Sequence, residues 1–169
     1  MNDPVQQHRQ TAPAVVRCAV ATISDTRTLD TDTGGRTAID LLSGAGHVIS
    51  ARELIPDDSG RIQQLLLDWS KRDDIDAILM TGGTGLSSRD QTYETVSGLL
   101  TKTLPGYGEL FRWLSYQEIG AAAMLSRAIG GLIHKTVVMT MPGSPHAVRL
   151  ALNQLIIPEL GHLVREANR

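Results

Sequence analysis

Three aspartates and one glycine-rich run carry the chemistry that this sequence could do. Residues 80–92 read MTGGTGLSSRDQT, so an apolar run ends in Thr81, Gly82, Gly83, Thr84 and Gly85, with Arg89-Asp90 close behind. Glycines at the mouth of a strand let a chain turn sharply or let a ligand touch the backbone. Successive exposed amides at a strand-to-helix turn make an anion cradle, and phosphate is its natural guest. A carboxylate beside a phosphate repels it unless a cation stands between them, as Mg²⁺ does in phosphoryl and nucleotidyl transfer. Asp90 could do this, or it could cap the helix that follows, since Ser88-Arg-Asp-Gln91 fits a capping box. Asp57 and Asp58, in IPDDSGRIQQLL, raise the same choice, but capping needs only one of them. If the second and third strands are neighbours, Asp57 and Asp90 stand on one rim within reach of a shared metal, which suggests metal-assisted phosphate chemistry.

Other polar residues are open to two readings. Ser24-Asp25 could offer a hydroxyl and a carboxylate to a ligand, or form a local turn. Pro142-Gly143-Ser144 could place amides against a ligand or turn the chain. Arg112 and Arg127 could reach an anion or make ordinary salt bridges. The glycine run is not a Walker loop, because no Lys-Ser/Thr follows it, and it is one residue short of the dinucleotide fingerprint. The five histidines show no metal-ligand spacing.

The elements that must position these residues follow from periodicity. Strands are expected at Val15–Ile23, His47–Ile55, Ile75–Met80 and Thr136–Met141. Helical faces recur at Ala38, Leu41, Leu42 and Ala45, closed by Gly44 and Gly46. They recur again at Ile62, Leu65, Leu66 and Trp69, over Thr92–Leu100, and at Val148, Ala151, Leu152 and Leu155, with Pro158 a potential kink. The segment between Leu104 and Gly131 is less regular, with one or two helices expected around a loop opened by Pro105-Gly106. Phe111, Trp113, Leu114 and Tyr116 suggest a buried contact, potentially between subunits. This alternation predicts an α/β fold, a mostly parallel central sheet with helices on both faces. Ligands of such sheets sit beyond the carboxyl ends of the strands, which gathers SDTRTLDTDTGG, PDDSG, TGGTGLSSRD and PGSP on one rim.

Composition sets the outer limits. A chain of 169 residues, 41% hydrophobic and 20% charged, fits one soluble domain, read as residues 15–169 behind a flexible arm at 1–14. A net charge of −2 gives no electrostatic reason to expect nucleic acid. No stretch approaches the roughly 18 apolar residues of a membrane span. The polar N-terminus lacks the apolar core of a signal peptide, and Cys18 is the only cysteine, expected to be a small buried hydrophobe, so a cytoplasmic location is expected.

Taken in order, TGGTGLSSRD, LIPDD, PGYGELFRWLSYQEIG, AMLSRA and MPGSP resemble the MoaB/MogA family of molybdenum cofactor biosynthesis proteins, the MoaB branch above all. The family is related to the molybdopterin-adenylating domains of plants and to the N-terminal domain of gephyrin. The resemblance implies a three-layer α/β fold, a trimer or hexamer acting with other proteins of the pathway, and adenylylation of molybdopterin by ATP with Mg²⁺. It assigns Asp57 and Asp90 to catalysis and to Mg²⁺, and Thr81, Gly82, Gly83, Thr84 and Gly85 to the phosphate cradle. Ser24 and Asp25 fall on the active-site rim, and Ser126, Pro142, Gly143 and Ser144 near the pterin pocket. Glu109 sits in the Pro-Gly-x-Gly-Glu motif, where a structural role is expected. Some MoaB-branch proteins lack the Pro-Asp motif or the arginine before the second aspartate, whereas this chain keeps both aspartates and Arg89. A non-catalytic molybdopterin carrier or scaffold is the alternative, and a nicotinamide protein a weaker one.

Overall fold

The computed structural model describes residues 12–169, so most of the arm expected at 1–14 lies outside the described residues. Six strands form one sheet in the order β2-β1-β3-β6-β5-β4. They are β1 (Arg17–Ile23), β2 (Val48–Ile55), β3 (Ala77–Thr81), β4 (Lys102–Thr103), β5 (Gly130–Ile133) and β6 (Thr136–Met141). The helices are α1 (Thr33–Gly44), α2 (Ser59–Trp69), α3 (Thr92–Leu99), α4 (Pro105–Ile119), α5 (Pro145–Ala151) and α6 (Ile157–Ala167). The four strands expected from the sequence are present and parallel, and they bear the rim loops.

Alternation along the strands builds the three layers. Val16, Cys18 and Val20 face one side with Leu79, Val137, Met139 and Met141, against α1, α4, α5 and α6. Ala19, Ala21 and Ile23 face the other with Ile78, Met80 and Val138, against Ile62, Leu66 and Trp69 of α2 and Val96 of α3. Strands covered on both faces must be apolar at nearly every position, as β1, β3 and β6 are. Cys18 is fully buried as expected, and desolvation pushes its thiol up to about 12. Ala45 and Gly46 close α1, Gly46 in the left-handed conformation at φ +88°.

The condition set for a shared rim, that the second and third strands be neighbours, is not met, because β1 lies between them. Several expectations need correction. Pro105-Gly106 opens no loop: Pro105 starts α4, where a missing amide costs nothing. Two short antiparallel strands, β4 and β5, extend the sheet and carry too few residues for periodicity to reveal them. The closing helix is not continuous. A π-helical turn at 152–156 separates α5 from α6, which gives Pro158 a widened turn ahead of it. Of the aromatic group, only Phe111 is buried; Leu114 is half-buried, and Trp113 and Tyr116 are exposed.

One buried acid anchors the rim from below. Asp32 is almost wholly buried, caps α1 by accepting from Gly35 N at 2.8 Å, accepts from Thr22 Oγ1 at 2.7 Å, and pairs with Arg52 at 3.3 Å. Removing one partner of a buried pair strands the others. Asp32→Ala is therefore expected to cost about 3 kcal/mol in urea unfolding; a loss below about 1 kcal/mol would show that the cap is dispensable.

Candidate functional site

Four strand ends meet on the carboxyl rim and are stitched together by hydrogen bonds. Ser24 N donates to Ile55 O at 2.9 Å, joining the ends of β1 and β2. Gly82 N donates to Met141 O at 3.0 Å, and Thr81 Oγ1 to Pro142 O at 3.2 Å, joining the ends of β3 and β6. The first turn of α1 closes in from the side: a methyl at Gly34 would stand 2.7 Å from Gly143 O. Residues 81–85, Asp57, Asp25, Gly143 and the start of α1 thus form one surface.

Bare backbone is needed in the loop for internal reasons. Gly82 and Gly83 have φ of +103° and +63°. A methyl at Gly82 would overlap Ile23 O. One at Gly83 would overlap Thr92 Oγ1 and lie 2.6 Å from Asp57 Oδ2. One at Gly85 would lie 2.8 Å from Asp90 Oδ2. The glycines let the loop press onto β1, Asp57 and Asp90 at once.

The paired aspartates divide their work. Asp58 is the cap of α2, accepting from Arg61 N at 2.9 Å, which leaves Asp57 free of that duty. Asp57 is buried, and its Oδ1 accepts from Gln91 N at 2.9 Å. Burial raises the Asp57 carboxyl above its ordinary value, the Gln91 amide opposes the shift, and the charges of Asp90 and Asp25 add to it. Asp57 and Asp90 therefore share the rim although their strands are not adjacent, because the loop after β3 reaches across the end of β1.

Asp90 is not the cap of α3. The cap position is Gln91, which has no side-chain cap bond. Asp90 Oδ2 instead accepts from Ser87 N at 2.8 Å, closing the turn 87–90. Arg89 reaches back and donates to Asp25 Oδ2 through Nη2 at 2.6 Å and Nε at 3.1 Å. Asp25 Oδ1 accepts from Asp57 N at 3.1 Å. The Arg89 guanidinium, and then the Asp57 amide, hold the Asp25 carboxyl below its ordinary value.

The remaining expected residues are placed less directly. The Ser24 hydroxyl accepts from Thr26 N and Arg27 N, a local turn. Thr81 and Thr84 are buried, and the Thr81 hydroxyl and the Gly82 amide are committed to Pro142 O and Met141 O. Ser144 caps α5 through Ala147 N at 3.2 Å. Ser126 is half-buried at the end of the 3₁₀ turn 120–125, and its next neighbour makes the connection to the loop. Arg127 N donates to Thr84 O at 3.3 Å and its Nη2 to Asp90 O at 3.2 Å. Its Nη1 pairs with Glu94, and the guanidinium lies 5.2 Å from the centre of the Tyr93 ring. Sequence reasoning allowed Arg127 a salt bridge, which Glu94 supplies, but not its ties to Thr84 and Asp90, which lie more than thirty residues away. It also passed over Asp32 and Thr92. A Gly-Gly pair two residues after Asp32 hinted at a cap; nothing marked Thr92.

The donor set fits Mg²⁺. Asp57 Oδ2 and Asp90 Oδ1 accept no hydrogen bond among the described residues, and the fully buried Thr92 Oγ1 beside Asp57 has no partner. No group of three or more metal-ligating side chains occurs among the described residues. An ion at Asp57 and Asp90 would therefore need substrate phosphates and water to complete its shell.

The division between Asp57 and Asp58 has opposite consequences for stability. A carboxyl raised above its unfolded value makes the native state bind more protons. Stability therefore falls as pH rises from the unfolded value through the folded one, and ionised Asp57 is a cost at neutral pH. Asp57→Asn keeps an acceptor for Gln91 N and gives Thr92 Oγ1 a donor. It is expected to gain on the order of 1 kcal/mol at pH 7, about 3 °C by calorimetry, with the gain vanishing near pH 3. Asp58→Ala is expected to lose about 1 kcal/mol. Equal destabilisation by both would contradict the assignment.

Comparisons with known proteins identify the family. Residues 19–162 match the family described as "Probable molybdopterin binding domain". The chain is 52% identical over 166 residues to molybdenum cofactor biosynthesis protein B of Bacillus anthracis and 50% identical to that of Bacillus subtilis, covering 98% of each chain in both comparisons. It superposes on the tungsten cofactor synthesizing protein MoaB from Pyrococcus furiosus with a TM-score of 0.83 at 33% identity, over 94% of this chain and all of that one. A crystal structure of a molybdenum cofactor biosynthesis protein B gives a TM-score of 0.90 at 53% identity, over 94% of this chain and 99% of that one. No helix among the described residues is long and apolar enough to cross a membrane. With residues 19–162 matched by the family and nearly the whole chain matched by its relatives, this protein belongs to the MoaB/MogA family of molybdenum cofactor biosynthesis proteins.

Proposed function

We propose that this protein adenylylates molybdopterin at the rim formed by Asp57, Asp90 and the loop 81–85. A terminal phosphate oxygen of molybdopterin attacks the α-phosphorus of ATP. The new P–O–P bond forms as the bond to the β-phosphate breaks, and pyrophosphate leaves. Asp57 and Asp90 would hold Mg²⁺, which supplies charge neutralisation for the crowded phosphates. The amides of Gly83 and Gly85 would face phosphate oxygens, and Arg89, exposed beside them, can exchange Asp25 for a phosphate. Asp25, once released, would add negative charge next to Asp57 and strengthen the demand for a cation.

One observation carries the reading most of the way: Asp57 is a buried carboxylate relieved of capping by Asp58, held at the mouth of the glycine loop with Asp90 and Asp25 close enough to raise its proton affinity. Such a group is a net cost to the fold unless a cation uses it. A carrier without catalysis would need the pocket but not this concentration of charge.

The helix α4 supports a homo-oligomer, a trimer or a hexamer. Leu110, Trp113, Tyr116 and Ile119 recur every third residue, each more than half exposed, and exposed Met124 and Leu125 follow. A stripe of this size on one helix is the composition of an interface core. Soluble partners in the pathway and a cytoplasmic location are part of the same proposal.

Two measurements test these statements. Wild-type protein with molybdopterin, ATP and Mg²⁺ is expected to yield adenylylated molybdopterin and pyrophosphate on chromatography, with Asp57→Asn or Asp90→Asn slower by at least about 10²-fold. Saturable molybdopterin binding with no product would establish a carrier instead. In light scattering, the wild type is expected to be a trimer or hexamer, and Trp113→Glu with Tyr116→Glu a monomer; a monomeric wild type would contradict the oligomer.

A further inference from the structure

Residues 85–90, between the glycine loop and α3, are exposed or half-buried, and they end on Asp90. Three hydrogen bonds close this segment on itself or its next neighbour: Ser87 N to Asp90 Oδ2, Asp90 N to Ser87 O, and Gln91 Nε2 to Ser88 O. Among the described residues, two arginines fasten it by hydrogen bonds to more distant parts of the chain. Arg89 does so through Asp25, and Arg127 through Asp90 O. We propose that Arg127 is a positioning residue, holding Asp90 in place for the metal when Arg89 lets go of Asp25. The inference rests on the reading of Asp57 and Asp90 as the metal-holding pair, and it names the residue that keeps one of them in register.

Arg127 suits this role because its own backbone is tied to the sheet. Ala128 is buried, Ile129 N donates to Thr140 Oγ1 at 3.0 Å, and β5 follows at once. Arg127 N donates to Thr84 O at 3.3 Å, so one residue meets the chain on both sides of the segment. The guanidinium is fixed from two further directions by the first turn of α3. Nη1 pairs with Glu94, and the Tyr93 ring centre lies 5.2 Å away. The side chain is only 20% exposed, and its Nε is buried without a partner. An unspent buried N–H is a cost to the fold. The side chain accepts that cost and places Nη1 on Glu94 and Nη2 on Asp90 O.

The two attachments differ in what a substrate does to them. When Arg89 exchanges Asp25 for a phosphate, its hold on the segment is lost just as Asp90 must stand still. Arg127 spends nothing on Asp25 or on a phosphate: its acceptor at 3.2 Å is a main-chain oxygen. With that oxygen fixed, and Oδ2 held by Ser87 N, the free Oδ1 of Asp90 has one place to point. Residues that orient a metal-holding side chain from behind commonly carry about tenfold or more of a site's metal affinity. Arg127 stands in that relation to Asp90, and it touches neither metal nor substrate itself.

The test reads position and metal binding without turnover. In hydrogen exchange by mass spectrometry, residues 85–91 of ligand-free Arg127→Met are expected to exchange at least about tenfold faster than in the wild type, with α1 unchanged. Mn²⁺ binding beside a non-hydrolysable ATP analogue, followed by the paramagnetic resonance of the free ion, is expected to weaken by at least about tenfold in the same variant. Arg127→Lys keeps the charge and one donor for Asp90 O. It is expected to lose less in both readings, and it takes over the test if Arg127→Met does not fold. Faster exchange with unchanged Mn²⁺ affinity, or weaker Mn²⁺ binding with residues 85–91 exchanging as in the wild type, would overturn the role of Arg127 and leave the metal pair standing. If the wild type takes up no Mn²⁺ beside the analogue, or if Asp90→Asn binds it equally well, the metal reading falls first and the role of Arg127 with it.

Discussion

Everything at the rim depends on how closely the backbone of Gly82 and Gly83 approaches the ends of β1 and β2. Gly82 has no room for a side chain against Ile23 O, and Gly83 has none against Asp57 and Thr92. Both need positive φ, which only glycine adopts without strain. Because the loop is pulled this tightly over β1, a residue after β2 and a residue after β3 become neighbours across an intervening strand. Widening the contact by one methyl group would move Asp57 away from Gln91, and with it the register of Asp90.

The electrostatics follow from that geometry. Asp25, Asp57 and Asp90 are gathered where one carboxylate would be comfortable and three are not. The protein meets part of this with Arg89 on Asp25, the Gln91 amide on Asp57 and the Ser87 amide on Asp90. Two carboxylate oxygens, one on Asp57 and one on Asp90, are left over, together with a buried threonine hydroxyl. Unspent groups of this kind cost stability, and their concentration at one rim is the observation on which the proposed metal site rests. Arg127 holds the loop from the other side, through Thr84 O and Asp90 O.

Much of this was legible in the sequence. The β-branched runs over Val15–Ile23 and Thr136–Met141 could only be strands covered on both faces, and the Asp57-Asp58 pair announced that one acid was surplus to capping. The choice between the two was not legible, because it depends on which of them stands at the turn of the α2 cap. Strand order was left open, since chain order says nothing of the crossover that puts β1 between β2 and β3. The partners of Arg127, and the lack of an ion pair at Arg112 among the described residues, were not legible for a related reason: they depend on contacts made, or not made, across long stretches of chain. Pro105 misled because proline is equally at home in a loop and in the first turn of a helix.

The most direct measurement is a crystal of the protein with Mn²⁺ and a non-hydrolysable ATP analogue, with data collected for the manganese anomalous signal. A single strong peak bridging Asp57 Oδ2, Asp90 and the phosphates at the mouth of residues 81–85 is the expected result. Phosphates seated on the loop with no peak there, or a peak coordinated by other side chains while Asp57 keeps its present environment, would contradict the assignment of Asp57 and Asp90 as the metal-holding pair.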